Sequence, residues 1–216
     1  MTWRRRASSR RIPTRRDSGT VHILAISDKE DSLLSARIER AQIDKPAVVV
    51  SCGDLRTGYL DYIATMANAP LLFVRGNHDT DERGYLDMGG TPLDGCIVRI
   101  GGLNFAGLDG SYAYREGIVG FSEGEMRGKV LLLAAKALAR GGIDVLVTHA
   151  PPRGYGDLDD LPHQGFECFN WLLDRFRPRL LLHGHTHLDY GIIPREVQHP
   201  SGTRIVNAFG FWAGEV

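Results

Sequence analysis

The chain has 216 residues, 43% of them hydrophobic and 24% charged, and no formal net charge at pH 7. That length and balance fit one soluble globular domain with a sizeable core. No apolar run approaches the ~18 residues of a membrane span, and the three cysteines, Cys52, Cys96 and Cys168, are odd in number and far apart, which excludes a disulfide framework and points to a reducing cytoplasm.

The zero net charge hides an asymmetry. Residues 1–19 hold seven Arg and one Asp, so the remainder is net acidic. This Arg-rich stretch has no apolar h-region of a secretory signal and too little apolar content to fold. It reads as a disordered tail ahead of a single domain at 20–216, and nucleic-acid binding through it is an electrostatic option that is not favoured.

From Val21 onward short apolar runs alternate with helical patterns. VHILAIS (21–27) reads as a buried strand, SLLSARIERAQ (32–42) as an amphipathic helix, AVVVS (47–51) as a strand, YLDYIATMAN (59–68) as a helix and LLFVR (71–75) as a third strand. This order predicts parallel βαβ units. CIVRIGGLNFAGLDG (96–110) carries two alternating runs about Gly101-Gly102, a hairpin signal. A long helix follows over 123–142, closed by glycines, then a strand at 143–149, a helix at 165–176 and a strand over PRLLLHGHTH (178–187). YGIIP and TRIVNAF predict antiparallel strands about a Pro-Ser-Gly turn.

Groups able to hold metal gather just after these strands. They are Asp28 and Glu30 after the first, Asp54 after the second, Asn77, His78 and Asp79 after the third, His149 after the fourth, and His183, His185 and His187 around the next. In an open α/β sheet ligands bind beyond the carboxyl ends of the strands, so these ends converge on one cleft. Asp, Asn and His form a mixed oxygen and nitrogen set suited to divalent first-row metals. The ligands suffice for two ions sharing a carboxylate, an arrangement used for in-line attack on phosphorus.

The blocks GD (53–54), GNHD (76–79), TH (148–149) and GHTH (184–187), in this order, resemble those of the calcineurin-like metallophosphoesterases. The resemblance covers about residues 21–216. It implies a four-layer αββα sandwich, two mixed β-sheets flanked by helices. It also implies two divalent ions, manganese foremost, with iron, zinc, nickel and magnesium as alternatives. By position, Asp54 would bridge the ions, with Asp28 and His187 on the first and Asn77, His149 and His185 on the second. His78, held by Asp79, would face the substrate and protonate the leaving oxygen or stabilise the phosphoryl charge. The family's first block is Asp-x-His, whereas this chain has Asp28-Lys29-Glu30; Glu30 either coordinates the first ion or points away from it.

Other residues carry plainer expectations. His22, His163, His183 and His199 read first as hydrogen-bonded polar groups, although the loop that holds Arg153 and His163 starts at the metal end of its strand and offers both as substrate contacts. Arg56 and Arg75 adjoin metal ligands and are candidate phosphate contacts, with pairing to an acid an equal alternative for Arg75. Cys52 reads as a packed strand-end residue and Asp109 as a turn former.

The expected activity is phosphodiester hydrolysis by in-line attack of a metal-bridging hydroxide on a phosphate-ester substrate, with no membrane partner. Phosphomonoester hydrolysis is the near alternative. A non-catalytic scaffold of the same fold is the rival from another class, and such a scaffold would be expected to lose His78 or bridging ligands that this chain keeps.

Overall fold

In the first strand, β1 (His22–Ser27), Ile23 and Ala25 face one side and Leu24 and Ile26 the other, and all four are buried. A strand covered on both faces reads as a continuous apolar run, and that is why the sequence pattern there is not a clean alternation. The structure, a computed structural model, describes residues 20–216, so the expectation for the Arg-rich segment 1–19 lies outside the described residues.

After β1 come α1 (Leu34–Glu39), β2 (Val48–Ser51), α2 (Thr57–Ala67), β3 (Leu71–Phe73), α3 (Glu82–Asp87) and β4 (Thr91–Pro92). The hairpin β5 (Ile97–Ile100) and β6 (Leu103–Leu108) follows, then β7 (Ser111–Tyr112), β8 (Gly120–Phe121), α4 (Glu123–Arg140) and β9 (Val145–Thr148). A 3₁₀ turn at Leu161–His163 precedes α5 (Glu167–Phe176), β10 (Leu180–His183), β11 (Glu196–Gln198), β12 (Arg204–Asn207) and β13 (Gly210–Glu215).

The strands form two large mixed sheets. One runs β13-β1-β2-β3-β4 and the other β11-β12-β10-β9-β6-β5. Strands β1 to β4 are parallel, as are β6, β9, β10 and β12. Ile23, Val48, Val50 and Leu72 of the first sheet pack on Phe105, Val145, Leu180 and Leu182 of the second. The outer face of the first sheet is covered by Leu34, Leu60, Ile63 and Tyr85 from α1 to α3, and that of the second by Met126, Val130, Phe169 and Leu172 from α4 and α5. The expected four-layer αββα sandwich is therefore what forms, each of these buried large side chains contributing ~1.5–3 kcal/mol.

Local chemistry explains the best-defined helix. Ser122 accepts from the Glu125 N–H while the Glu125 carboxylate accepts from the Ser122 N–H, a capping box worth ~1 kcal/mol, and Gly141 at φ 86° closes the other end. The helix expected over 32–42 shortens to α1 because Ala41 takes a left-handed conformation at φ 51°. YGIIP is not a strand; the strand that pairs antiparallel with β12 is β11, Glu196–Gln198. The longest elements that escaped the sequence pattern are α3, and β13, which pairs antiparallel along the whole of β1. Among the described residues no helix is long and apolar enough to cross a membrane.

Candidate metal centre

The parallel strands β1, β2, β3, β9 and β10 all point their carboxyl ends at one edge of the sandwich, and the loops that leave them are tight. Asp28, Asp54 and His185 each sit in the left-handed backbone region, at φ 62°, 57° and 67°. A non-glycine residue costs roughly 1–2 kcal/mol there, and three together mark a place where geometry is held by its surroundings. Two glycines let these loops close on one another. A Cβ at Gly76 would run into the Asp54 carboxylate, and one at Gly184 into Ser27 Oγ and Asp28 Oδ2.

Around Asp54 three ligand atoms converge without a proton to separate them. The His149 ring is fully buried and its Nδ1 lies 2.7 Å from the Cys52 carbonyl, which only accepts, so Nδ1 carries the hydrogen. Burial also drives the His149 pKa down to about 3, which keeps the ring neutral. Its Nε2 is then a lone pair, and it faces Asn77 Oδ1 at 2.8 Å and Asp54 Oδ2 at 3.4 Å. Asn77 Nδ2 is turned the other way and donates to Tyr114 Oη at 3.2 Å.

Asp28 stands on the far side. Both its oxygens accept from the His185 backbone N–H at 3.0 Å, and Oδ1 lies 3.7 Å from His187 Nε2. His185 Nε2 donates to the Pro162 carbonyl at 2.6 Å, so its Nδ1 is the nitrogen left free to ligate. His187 is held between two rings, stacked on Tyr190 at 4.7 Å and tilted against Phe209 at 4.8 Å. One ligand atom each of Asp28, Asp54 and His149 lies within 4.8 Å of the others.

The electrostatics of this cluster call for a cation. Burial, with Asp54 and Asp79 close by, pushes the Asp28 carboxyl up to about 8. Burial likewise raises Asp54, and burial and the Asp54 charge raise Asp79. Burial lowers His185 and His187, so the rings offer lone pairs rather than charge. Crowded carboxylates, neutral imidazoles and an amide oxygen aimed at one point fit a divalent metal of the first row. Asp28, Asp54 and His149 form a candidate metal site, with Asn77, His185 and His187 around it.

A cavity of about 660 Å³ opens over these groups, and His78, Asp79, Arg56 and His163 line it with Asp28, Asp54, Asn77, His185 and His187. His78 is exposed there, its backbone N–H donating to Asp54 Oδ1 at 2.9 Å. Asp79 acts on backbone: its Oδ2 accepts from the N–H groups of Asp54 and Gly76, each at 2.7 Å. His163 packs on His185 and Tyr190 and is paired through Nδ1 with Asp160 at 2.6 Å.

The structure does not bring every expected residue to the cavity. Glu30 faces Arg56, which grips both its oxygens from Nε and Nη2 at 2.7 and 2.5 Å, and that hydrogen bonding holds the Glu30 carboxyl below its ordinary range. Arg75 is paired with Asp109 at 2.8 Å, so Asp109 is an ion-pair partner rather than only a turn former. Arg153 is bound within its own loop by Asp157, Asp159 and the Leu158 carbonyl. His183 and His199 are engaged with Gly184 O and Ser201 Oγ, as expected of packed polar groups. Tyr114, Tyr190 and Phe209 were not legible beforehand. A Tyr three residues after the last His of GHTH was the one available signal, at helical spacing.

Comparison with known proteins agrees with this fold. A solved structure from Thermus thermophilus, TT1561, superposes with a TM-score of 0.62 at 14% identity, over 91% of this chain and 99% of that one. Another superposes with a TM-score of 0.65 at 14% identity, over 92% and 99%. At such identity the likeness establishes the fold. UPF0046 protein T07D4.2 of Caenorhabditis elegans is 41% identical over 56 residues, 25% of this chain and 14% of that protein's length. The family model of the calcineurin-like phosphoesterases matches residues 22–189, a span that contains Asp28, Asp54, Asn77, His149, His185 and His187. The chain belongs to the calcineurin-like phosphoesterase family.

Proposed function

We propose that the chain is a two-metal phosphodiesterase. The observation that carries this reading is the place of Asp54, whose carboxylate stands within 4.8 Å of both Asp28 and His149 ligand atoms. A carboxylate in that position can serve two ions, one with Asp28 and His187, the other with Asn77, His149 and His185. The donor set is mixed, with oxygen from Asp28, Asp54 and Asn77 and nitrogen from His149, His185 and His187, and suits a divalent first-row ion such as manganese. When bound, such ions activate water as a nucleophile and place positive charge on the phosphoryl oxygens.

The chain's own residues supply the rest. His78, exposed in the cavity and tied through its N–H to Asp54, is placed to hand a proton to the departing oxygen. Asp79 locks the two loops that carry Asp54 and Asn77. Arg56 and His163 stand at the rim as substrate contacts.

Charge supports a diester over a monoester. Among the described residues Arg56 is the single Lys or Arg lining the cavity, and Glu30 already neutralises it. Arg75 and Arg153 are likewise taken by carboxylates. A singly charged diester makes a smaller demand on such a site than a doubly charged monoester. Three free thiols, two of them buried, support a reducing, cytoplasmic setting.

The test is to load the protein with Mn²⁺, measure bound metal, and compare hydrolysis of matched diester and monoester substrates on one sample. Faster turnover of the diester is expected. A faster monoester would make it a phosphomonoesterase, and bound metal without hydrolysis would make it a scaffold.

A further inference from the structure

The Asn77 amide has two orientations, and only one of them serves a metal. With Oδ1 inward, the amide presents oxygen beside His149 Nε2 at 2.8 Å. Turned over, it would present Nδ2 there and donate to the same lone pair, placing an N–H where a cation must sit. Asn77 is buried, 2% exposed, so whichever amide group faces away from the ligands needs a partner of its own.

Tyr114 is that partner. It belongs to the segment between β7 and β8, which is tied to the Asn77 loop by backbone as well: the Val119 N–H donates to the Asn77 carbonyl at 3.0 Å, and just before β7 the Gly110 N–H donates to that of Arg75 at 2.8 Å. The phenol oxygen receives the Nδ2–H at 3.2 Å and lines the cavity beside it. A hydroxyl can serve either end of an amide by turning its own proton. A cation on Oδ1 breaks that symmetry, because it draws charge from the amide and makes Nδ2–H a stronger donor, as charge-assisted hydrogen bonds are.

We infer that Tyr114 is a positioning residue for the metal centre, holding the Asn77 amide with its oxygen toward the ions through the Nδ2–H···Oη bond. The inference rests on the metal-binding reading above and extends it to a residue that touches no ligand position. Partners of metal ligands commonly contribute 10–100-fold to metal affinity, so removing the hydroxyl should weaken binding by about tenfold or more, without changing the metal-free fold.

The test is a double-mutant cycle read by calorimetric titration of Mn²⁺ into chelator-treated protein, with the melting temperature of each metal-free variant measured alongside. Tyr114→Phe should weaken Mn²⁺ binding by about tenfold, while the metal-free melting temperature stays close to that of wild type because the released amide can turn over and donate Nδ2–H to His149 Nε2. In the Asn77→Asp background the same change should have no effect, since a carboxylate presents oxygen in either orientation. Equal affinity for wild type and Tyr114→Phe overturns the inference while leaving the metal reading intact. So does an undiminished loss in the Asn77→Asp background, or a loss that tracks a lower metal-free melting temperature. Failure of the wild type to bind Mn²⁺ overturns the metal reading, and this inference with it.

Discussion

Arg56 clasps both carboxylate oxygens of Glu30 from Nε and Nη2, at 2.7 and 2.5 Å, on the outer side of the loop that carries Asp28. The acid two residues beyond Asp28 is thus engaged with a guanidinium, and its bidentate geometry fixes where it points. Glu30→Gln should therefore change Mn²⁺ affinity by less than about threefold, since roughly 1.4 kcal/mol would be needed for a factor of ten. It should lower KM for phosphate monoesters, because Arg56 is released to meet the extra charge. A large loss of metal affinity in a calorimetric titration would instead make Glu30 a ligand.

Asp54→Asn should abolish nearly all hydrolysis and reduce the metal content of the purified protein. A neutral amide has one oxygen to offer and bridges two cations poorly. Metal analysis and turnover on the same sample decide the matter: full occupancy with near-normal rates would remove Asp54 from the bridging role.

His78→Ala should retain metal and slow hydrolysis by ~10²–10⁴-fold for substrates with poor leaving groups. The loss should shrink as the leaving group becomes more acidic, since a stable anion departs without a proton. A plot of log rate against leaving-group acidity for wild type and variant tests this. Parallel lines would assign His78 to phosphate positioning.

The Asp28 carboxyl gives the metal-free protein a pH dependence of defined sign. Its pKa rises from 3.8 to about 8 on folding, chiefly through burial. Between those values the unfolded chain ionises this group and the folded chain does not, so the unfolded state binds fewer protons and stability falls as pH rises. In chelator, the melting temperature should fall between pH 5 and pH 8. Asp28→Asn should flatten the decline, and Mn²⁺ should raise the melting temperature of wild type most at the upper end. An equal decline in wild type and Asp28→Asn would show that the dependence comes from other groups.

Legibility from sequence followed how local each cause was. The Gly-Asp, Gly-Asn-His-Asp and Gly-His-Thr-His blocks were readable because a tight turn after a parallel strand puts the whole requirement in a few adjacent residues. Asp54, Asn77 and His149 accordingly come together as expected. The orientation of Glu30 was not readable, since it depends on Arg56, 26 positions away in the chain. Arg75 and Arg153 beside polar loops look like anion contacts in one dimension, but Asp109 and Asp157 reach them first. The two packed sheets came from the family resemblance, not from periodicity. A strand buried on both faces carries no alternation to say which face meets which layer. The short strands β4, β7 and β8 have two residues each and leave no pattern at all.

The antiparallel pairing of β13 with β1 joins the two ends of the described chain: Val21 and Val216 exchange backbone hydrogen bonds at 3.2 and 3.1 Å. During synthesis β1 emerges before the other described strands, yet one of its two neighbours is β13, made after all of them. Until then the apolar strand that leads into Asp28 has an open edge, and Phe209, which flanks His187, is not in place. Such long-range closure slows folding and leaves nascent chains exposed to association. Closure of that edge is thereby deferred until β13 is translated, and a ribosome stalled before residue 210 would hold a chain whose first sheet lacks its edge strand.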